Sequence, residues 1–308
     1  MTSPVIFLIF NRPDCTARTF AEIRKARPTQ LLVVADGPRP HVPDDAAACA
    51  RTRRVVEDGI DWPCQLHRAY SERNLGCAHR VSSGLTWAFS LVPEAIVLED
   101  DCLPDGSFFP YCDELLARYR HDTRIGQICG TPFVLEEVAC ETSYIFSKYG
   151  PIWGWASWRR AWAHYDLTLG SWPDLRRRRA LASVIRSPGE LEWRGRLYDG
   201  LHAGPPSTWD FQWGYAKIVQ SLLSIIPRQN LIRNIGFGPG ATHTTEGVPS
   251  TRRLGSITFP LSHPGCVLPD TGFDERFSRA CVPGLTTRAI EAIHARLRRL
   301  GGRRAEGA

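Results

Sequence analysis

Continuous apolar runs alternate with amphipathic stretches along the first hundred or so residues. Val5 to Phe10 is apolar throughout, the pattern of a parallel strand covered on both faces. It runs into Asn11-Arg12-Pro13-Asp14, a helix-entry signal, so residues 14–26 are predicted helical. The pattern then repeats. QLLVVADGP (30–38) predicts a buried strand entering a turn at Asp36-Gly37-Pro38, 44–58 a helix, 64–70 a third strand, and 71–92 a segment whose second part is helical. AIVLEDD (95–101) predicts the fourth strand. This succession implies an α/β fold with an open, mostly parallel sheet flanked by helices, and such sheets bind ligands beyond the carboxyl ends of their strands. Arg12, Asp36, Gly37, Asn74, Gly76 and the acids Glu99, Asp100 and Asp101 all fall at those predicted ends.

The second half is less regular. Residues 106–120 predict a helix and 125–130 a strand, after which 148–165 carries four tryptophans and 171–203 reads as two short helices. Residues 207–223 predict an amphipathic helix with Phe211, Tyr215, Ile218 and Leu222 on one face. A short strand and a glycine-rich loop, GFGPGATHT, complete the pattern. With no linker-like composition, the expected organisation is one globule: 1–125 as an α/β half, 126–265 as a second half of the same body, and 266–308 as a C-terminal segment with a basic helix.

Composition sharpens this only in part. A chain of 308 residues with 43% apolar content can bury a large core. Its net charge of +6 comes mostly from arginine runs at 51–54, 176–179 and 294–304. Solvated faces explain such runs most simply. A peripheral contact of the basic C-terminus with anionic membrane is the alternative, since Leu297 and Leu300 alternate with arginines there. No nucleic-acid partner is expected, because the basic runs are not interleaved with aromatics and no binding motif is present. Ten scattered cysteines without a CxxC pair, and an N-terminus without a basic leader, point to a reducing cytoplasmic setting.

Three acids at the mouth of a buried strand repel one another, and a cation relieves that best. Strand alternation places Glu99 and Asp101 on one face and Asp100 on the other. One or two carboxylates, completed by phosphate and water, suit Mg2+ or Mn2+ carrying a nucleotide diphosphate. The histidine of the glycine-rich loop, His243, is a candidate second ligand. Asp105 is more simply a cap for the helix that follows.

The segment IVLEDDCLPDGSFFPYCDELL resembles the metal-binding segment of GT-A glycosyltransferases. In particular it resembles the Golgi N-acetylglucosaminyltransferase of complex N-glycan branching, in which a Glu-Asp-Asp triplet replaces the usual DxD motif. GWASW, TWDFQW and FGPGATHT follow in the order of their counterparts, and the chain is also similar to bacterial HlpA-like and family 2-like glycosyltransferases. The resemblance implies Asp101 as metal ligand, with Glu99 and Asp100 on ribose or donor-sugar hydroxyls. It implies Asp36, beside Gly37, as acceptor from the nucleobase imide, and Arg12 as partner of nucleotide oxygens. Asn74, Gly76 and Arg80 complete the nucleotide wall. Asp210 is the implied base, although Ser207-x-x-Asp210 also reads as a capping box. Trp155 and Trp209 are the expected sugar-contacting aromatics. The activity implied is metal-dependent, inverting transfer of a hexosyl or N-acetylhexosaminyl group from a nucleotide diphosphate, UDP first, to a glycan, lipid-linked or small-molecule hydroxyl, as in polysaccharide biosynthesis. Two rivals stay open. A sugar-nucleotide nucleotidyltransferase shares the sheet and acids but normally has a glycine-rich first loop, which FNRPDCTAR lacks. A non-enzymatic Ca2+-dependent carbohydrate-binding protein would bind sugar without nucleotide.

Overall fold

The computed structural model describes residues 1–134, 141–236 and 253–282. The first half contains β1 (Val5–Ile9), α1 (Pro13–Ala26), β2 (Gln30–Ala35), α2 (Asp45–Glu57), β3 (Gln65–Tyr70), α3 (Gly76–Leu91) and β4 (Glu94–Glu99). Then come β5 (Cys102–Pro104), α4 (Phe108–Arg118), β6 (Ile125–Cys129), β7 (Tyr144–Ser147), β8 (Trp155–Trp158), α5 (Arg159–Trp162), α6 (Trp172–Arg177) and α7 (Pro188–Ala203). The described chain closes with α8 (Asp210–Val219), β9 (Leu223–Pro227), β10 (Ile232–Asn234) and α9 (Thr271–Cys281).

Eight strands form one sheet in the order β3-β2-β1-β4-β8-β6-β9-β7. β7 and β8 run against the other six, so the sheet is mostly parallel and spans both halves of the chain. Alternation along the strands explains the layering. Val5, Phe7 and Ile9 of β1 join a core on one face with Leu31, Val33, Ile96 and Leu98, whereas Ile6 and Leu8 join Leu32, Val34, Ala95 and Val97 on the other. Burial on both faces is why these strands read as unbroken apolar runs. The α/β class expected from the sequence, with its large sheet flanked by helices, is therefore the observed one.

Three local expectations differ. Residues 155–158 form β8, an antiparallel strand inserted between β4 and β6, although the tryptophan-rich segment carried no clear strand period. The α8 helix buries a wider arc than predicted: Trp213 packs with the tryptophan cluster while Tyr215 and Ile218 pack on a separate core, and Phe211 is exposed at 39%. β4 ends at Glu99, with Asp100 and Asp101 in a turn, so strand alternation does not govern the three acids. His243 and the basic run at 294–304 lie outside the described residues. No described helix is long and apolar enough to cross a membrane, and the nine described cysteines are free thiols.

Candidate active site

A cavity of about 340 Å³ opens beyond the carboxyl ends of β1, β2 and β4. Arg12, Asp36, Asn74, Gly76, Arg80, Glu99, Asp100, Asp101, Trp209 and Asp210 all line it, drawn together from positions 12 to 210 of the chain. Asp101 is covered from one side by the segment after β10. The antiparallel pairing of β10 with β5 and a hydrogen bond from the Ile235 amide to the Asp101 carbonyl (2.8 Å) bring Gly236 over its carboxylate. A Cβ on Gly236 would stand 2.2 Å from Asp101 Oδ2 and 2.7 Å from an Arg12 nitrogen, so a larger residue there would displace this ion pair.

The acids are not equivalent. Arg12 forks across two of them, Nη2 to Asp100 Oδ1 at 2.9 Å and Nη1 to Asp101 Oδ2 at 3.1 Å. Burial works against the Arg12 charge, but Asp100 and Asp101 outweigh it and raise its pKa. Asp100 spends its second oxygen on the Phe10 amide at 3.3 Å and is 3% exposed. Burial pushes the Asp100 carboxyl well above the usual carboxylate range, with Arg12 opposing. Glu99 is raised too, by burial first and then by the charges of Asp101, Asp100 and Asp210. Among the described residues none donates a hydrogen bond to the Glu99 carboxylate, so it stands as the one acid of the triplet without a partner there.

Asp36, expected to accept from the nucleobase imide, lines the cavity with its carboxylate held by the protein. Its Oδ1 accepts from the amides of Gly37 (2.8 Å) and Leu75 (2.9 Å), and its Oδ2 from the Gly76 amide (3.0 Å) and Asn74 Nδ2 (3.1 Å). A carboxylate offers about four lone-pair sites, and here all are taken by the protein. The geometry makes Asp36 the anchor that ties the Asn74–Gly76 turn to the end of β2. Gly37 sits behind the cavity wall, where a Cβ would fall 2.4 Å from the Arg73 backbone, so its role in this geometry is close packing.

Asp210 is the first residue of α8, not its third, and the helix shows no side-chain cap, so the capping-box pattern is not formed. The Thr208 hydroxyl donates to Asp210 Oδ1 instead. Asp105, expected to cap a helix, accepts from the Ser107 amide (2.9 Å) and hydroxyl just before α4 begins. Trp155 is not at the cavity wall. It is 1% exposed and lies behind Trp209, stacked on it at 5.8 Å and tilted against Trp213 at 5.8 Å. The aromatic that reaches the cavity from this segment is Trp153. Tyr165 completes the support by donating its hydroxyl to the Trp209 carbonyl at 3.2 Å.

Arg39 also lines the cavity and was missed in the sequence. It is locked by Asp45, which accepts from Arg39 Nη2 at 2.9 Å and Nε at 3.0 Å, and its guanidinium lies over the Phe10 ring. That pairing holds the Asp45 carboxyl down at about 2. The signal available was its place three residues after Asp36, at a strand end. Arg80 contrasts with both other arginines. Its Nη2 donates to the Ala69 carbonyl, and among the described residues no carboxylate pairs with it and its buried Nε has no acceptor.

Five carboxylates against three guanidinium groups line this cavity. The guanidinium groups do not outnumber these acids, so a diphosphate entering the space gains from added positive charge. The donor set is all oxygen, which fits a hard divalent cation shared with phosphate. Among the described residues no group of three His, Cys, Asp or Glu side chains holds an ion alone.

No family model and no curated protein matches the chain. Among solved structures it is similar to S. aureus TarS 1–349, at 12% identity and TM-score 0.36, covering 52% of this chain and 47% of that one. It thus spans about half the length of TarS 1–349. It is similar to mouse xyloside xylosyltransferase 1 in its apo form, at 8% identity and TM-score 0.37, over 73% of this chain and 85% of that one. A third is M. tuberculosis glucosyl-3-phosphoglycerate synthase in complex with Mn2+, UDP and phosphoglyceric acid, at 11% identity and TM-score 0.29, over 51% and 56%. At such identities residue roles do not transfer.

Proposed function

We propose that this chain is a GT-A-type glycosyltransferase that moves a sugar from a nucleotide diphosphate, UDP first, to a hydroxyl acceptor with inversion. The observation that carries the reading is the cavity at the strand ends, which Asp210 lines together with the Glu99–Asp101 acids and in which Arg80 has no carboxylate partner among the described residues. The N-acetylglucosaminyltransferase likeness favours an N-acetylhexosaminyl or hexosyl donor, and the free thiols are in keeping with a cytoplasmic site of action.

Asp210 removes the proton from the acceptor hydroxyl as that oxygen attacks the anomeric carbon. The bond from that carbon to the diphosphate oxygen breaks in the same displacement, and the proton ends on the Asp210 carboxyl. Because the Thr208 hydroxyl donates to Oδ1, that oxygen is held and Oδ2 is left to accept. Arg80 supplies charge to the departing diphosphate as a planar fork. Mn2+ or Mg2+ held by Asp101 would add charge at the diphosphate oxygens when bound. Trp153, half-buried at the wall, offers aromatic surface to the sugar, whereas Trp209 is 2% exposed and supports the wall from the core, and Asp36 holds the Asn74–Gly76 turn that forms the nucleotide side.

A donor screen tests this reading: purified protein is incubated with UDP-, GDP-, ADP- and CMP-sugars plus Mn2+ and an acceptor library, with released nucleotide read by mass spectrometry. Release of one nucleotide from its sugar, dependent on Asp210, is expected. Absence of release, transfer and nucleotide binding across the panel would overturn it.

A further inference from the structure

Two carboxylates of the acid triplet are already occupied by a cation, and that cation is Arg12. Its Nη2 and Nη1 take Asp100 Oδ1 and Asp101 Oδ2 at 2.9 and 3.1 Å. Gly236 presses on the same spot so closely that a single added carbon would lie 2.2 Å from Asp101 Oδ2 and 2.7 Å from the Arg12 nitrogen. Arg12 Nη1 already stands on Asp101 Oδ2, so a metal ion taking that oxygen meets the guanidinium charge. Arg12 also carries an unspent donor, since its buried Nε has no acceptor. The cavity's other arginines are differently placed: Arg39 is fixed by Asp45, and Arg80 donates to the Ala69 carbonyl and pairs with no carboxylate among the described residues.

Resting on the glycosyltransferase reading, we propose that Arg12 exchanges partners during donor binding: in the free chain it holds Asp101 as an internal counter-ion, and with the donor present it releases Asp101 to the divalent cation and turns its freed nitrogens to the diphosphate. Arg12 is then a positioning residue that couples metal and nucleotide. Without nucleotide it competes with the ion for Asp101, so metal alone binds poorly. With nucleotide its charge is re-used on phosphate, so each ligand strengthens the other, and the strengthening is reciprocal. Asp100 keeps the other arm and prevents Arg12 from leaving the site.

The exchange predicts effects of opposite sign from one substitution. Arg12→Gln removes the competitor, so Mn2+ binding without nucleotide, followed by electron paramagnetic resonance of free Mn2+, tightens by about fivefold or more. The same variant loses a charged partner for phosphate, so UDP binding at saturating Mn2+ weakens by about tenfold or more. Arg12→Lys, which places a point charge on one carboxylate rather than a fork across two, gives the same two signs at smaller size and serves if the glutamine variant does not fold. Unchanged or weaker Mn2+ binding in the variants, with UDP binding intact in the parent chain, overturns the exchange and leaves the glycosyltransferase reading standing. A parent chain that binds neither Mn2+ nor any nucleotide overturns both.

Discussion

Replacing Asp36 by Asn separates an anchor from a nucleobase reader. In the structure Asp36 is 6% exposed and accepts four hydrogen bonds, three from backbone amides and one from Asn74 Nδ2. Asparagine keeps one acceptor oxygen and turns the other position into a donor. That donor faces either the Gly76 amide and Asn74 Nδ2 or, if flipped, the Gly37 and Leu75 amides, so two bonds are lost and donor meets donor. Hydrogen bonds to a charged group contribute about 1.5–3 kcal/mol each. Because water reaches part of the turn, the expected loss is about 3 kcal/mol, near the lower sum. Equilibrium urea unfolding of the parent and the Asp36→Asn variant reads it directly as a lower midpoint at unchanged slope. A loss below about 0.5 kcal/mol, within the scatter of ordinary surface substitutions, accompanied by weakened UDP binding, would refute the anchor and restore Asp36 as a contact to the base.

Further outcomes follow from the same geometry. Asp210→Asn keeps the Thr208 contact and the start of α8 but cannot take a proton, so turnover falls by about 10²- to 10⁴-fold while UDP affinity stays within about twofold; steady-state kinetics with parallel calorimetry checks the split. Lys217 is 1% exposed and donates only to Gln127 and Ser224, and burial pulls its pKa down from 10.5 to about 8. Its folded value lies below its unfolded one, so the unfolded state holds more protons between about 8 and 10.5 and stability rises with pH across that window. Lys217→Met abolishes this rise, up to about 1.4 kcal/mol per pH unit, as read by the difference between parent and variant unfolding at about pH 7.5 and about pH 9.5; parallel pH profiles would contradict it.

The parallel half of the fold was legible because burial on both faces leaves a plain mark: β1, β2 and β4 are runs of apolar residues ended by polar turns. The cavity was legible for a related reason. Strand ends in such a sheet converge, so Arg12, Asp36, Asn74 and Glu99–Asp101 were grouped by topology before any contact was seen. What those side chains touch was not legible. Asp36 is saturated by a turn that lies far along the chain, Trp155 is hidden behind Trp209, and Arg12 is spent on the acids beside it, and each fact arises only when distant segments pack. Strand β8 was missed because its Trp-Ala-Ser-Trp sequence is buried on both faces and too short to show a period. Asp210 also fitted a capping box because spacing alone cannot show that α8 begins two residues later than that pattern would place it.

The central claim is that this cavity takes a nucleotide diphosphate together with a divalent cation, and thermal unfolding with added ligand tests it most directly. A ligand at one hundred times its dissociation constant stabilises a fold by about 2.7 kcal/mol, a rise of roughly 5 °C in Tm for a chain of this size. UDP with Mn2+ is predicted to give such a rise in the parent chain, UDP alone much less, and Asp101→Asn to lose the difference between them. No rise with any nucleotide diphosphate, in the presence or absence of Mn2+ and Mg2+, would contradict the account.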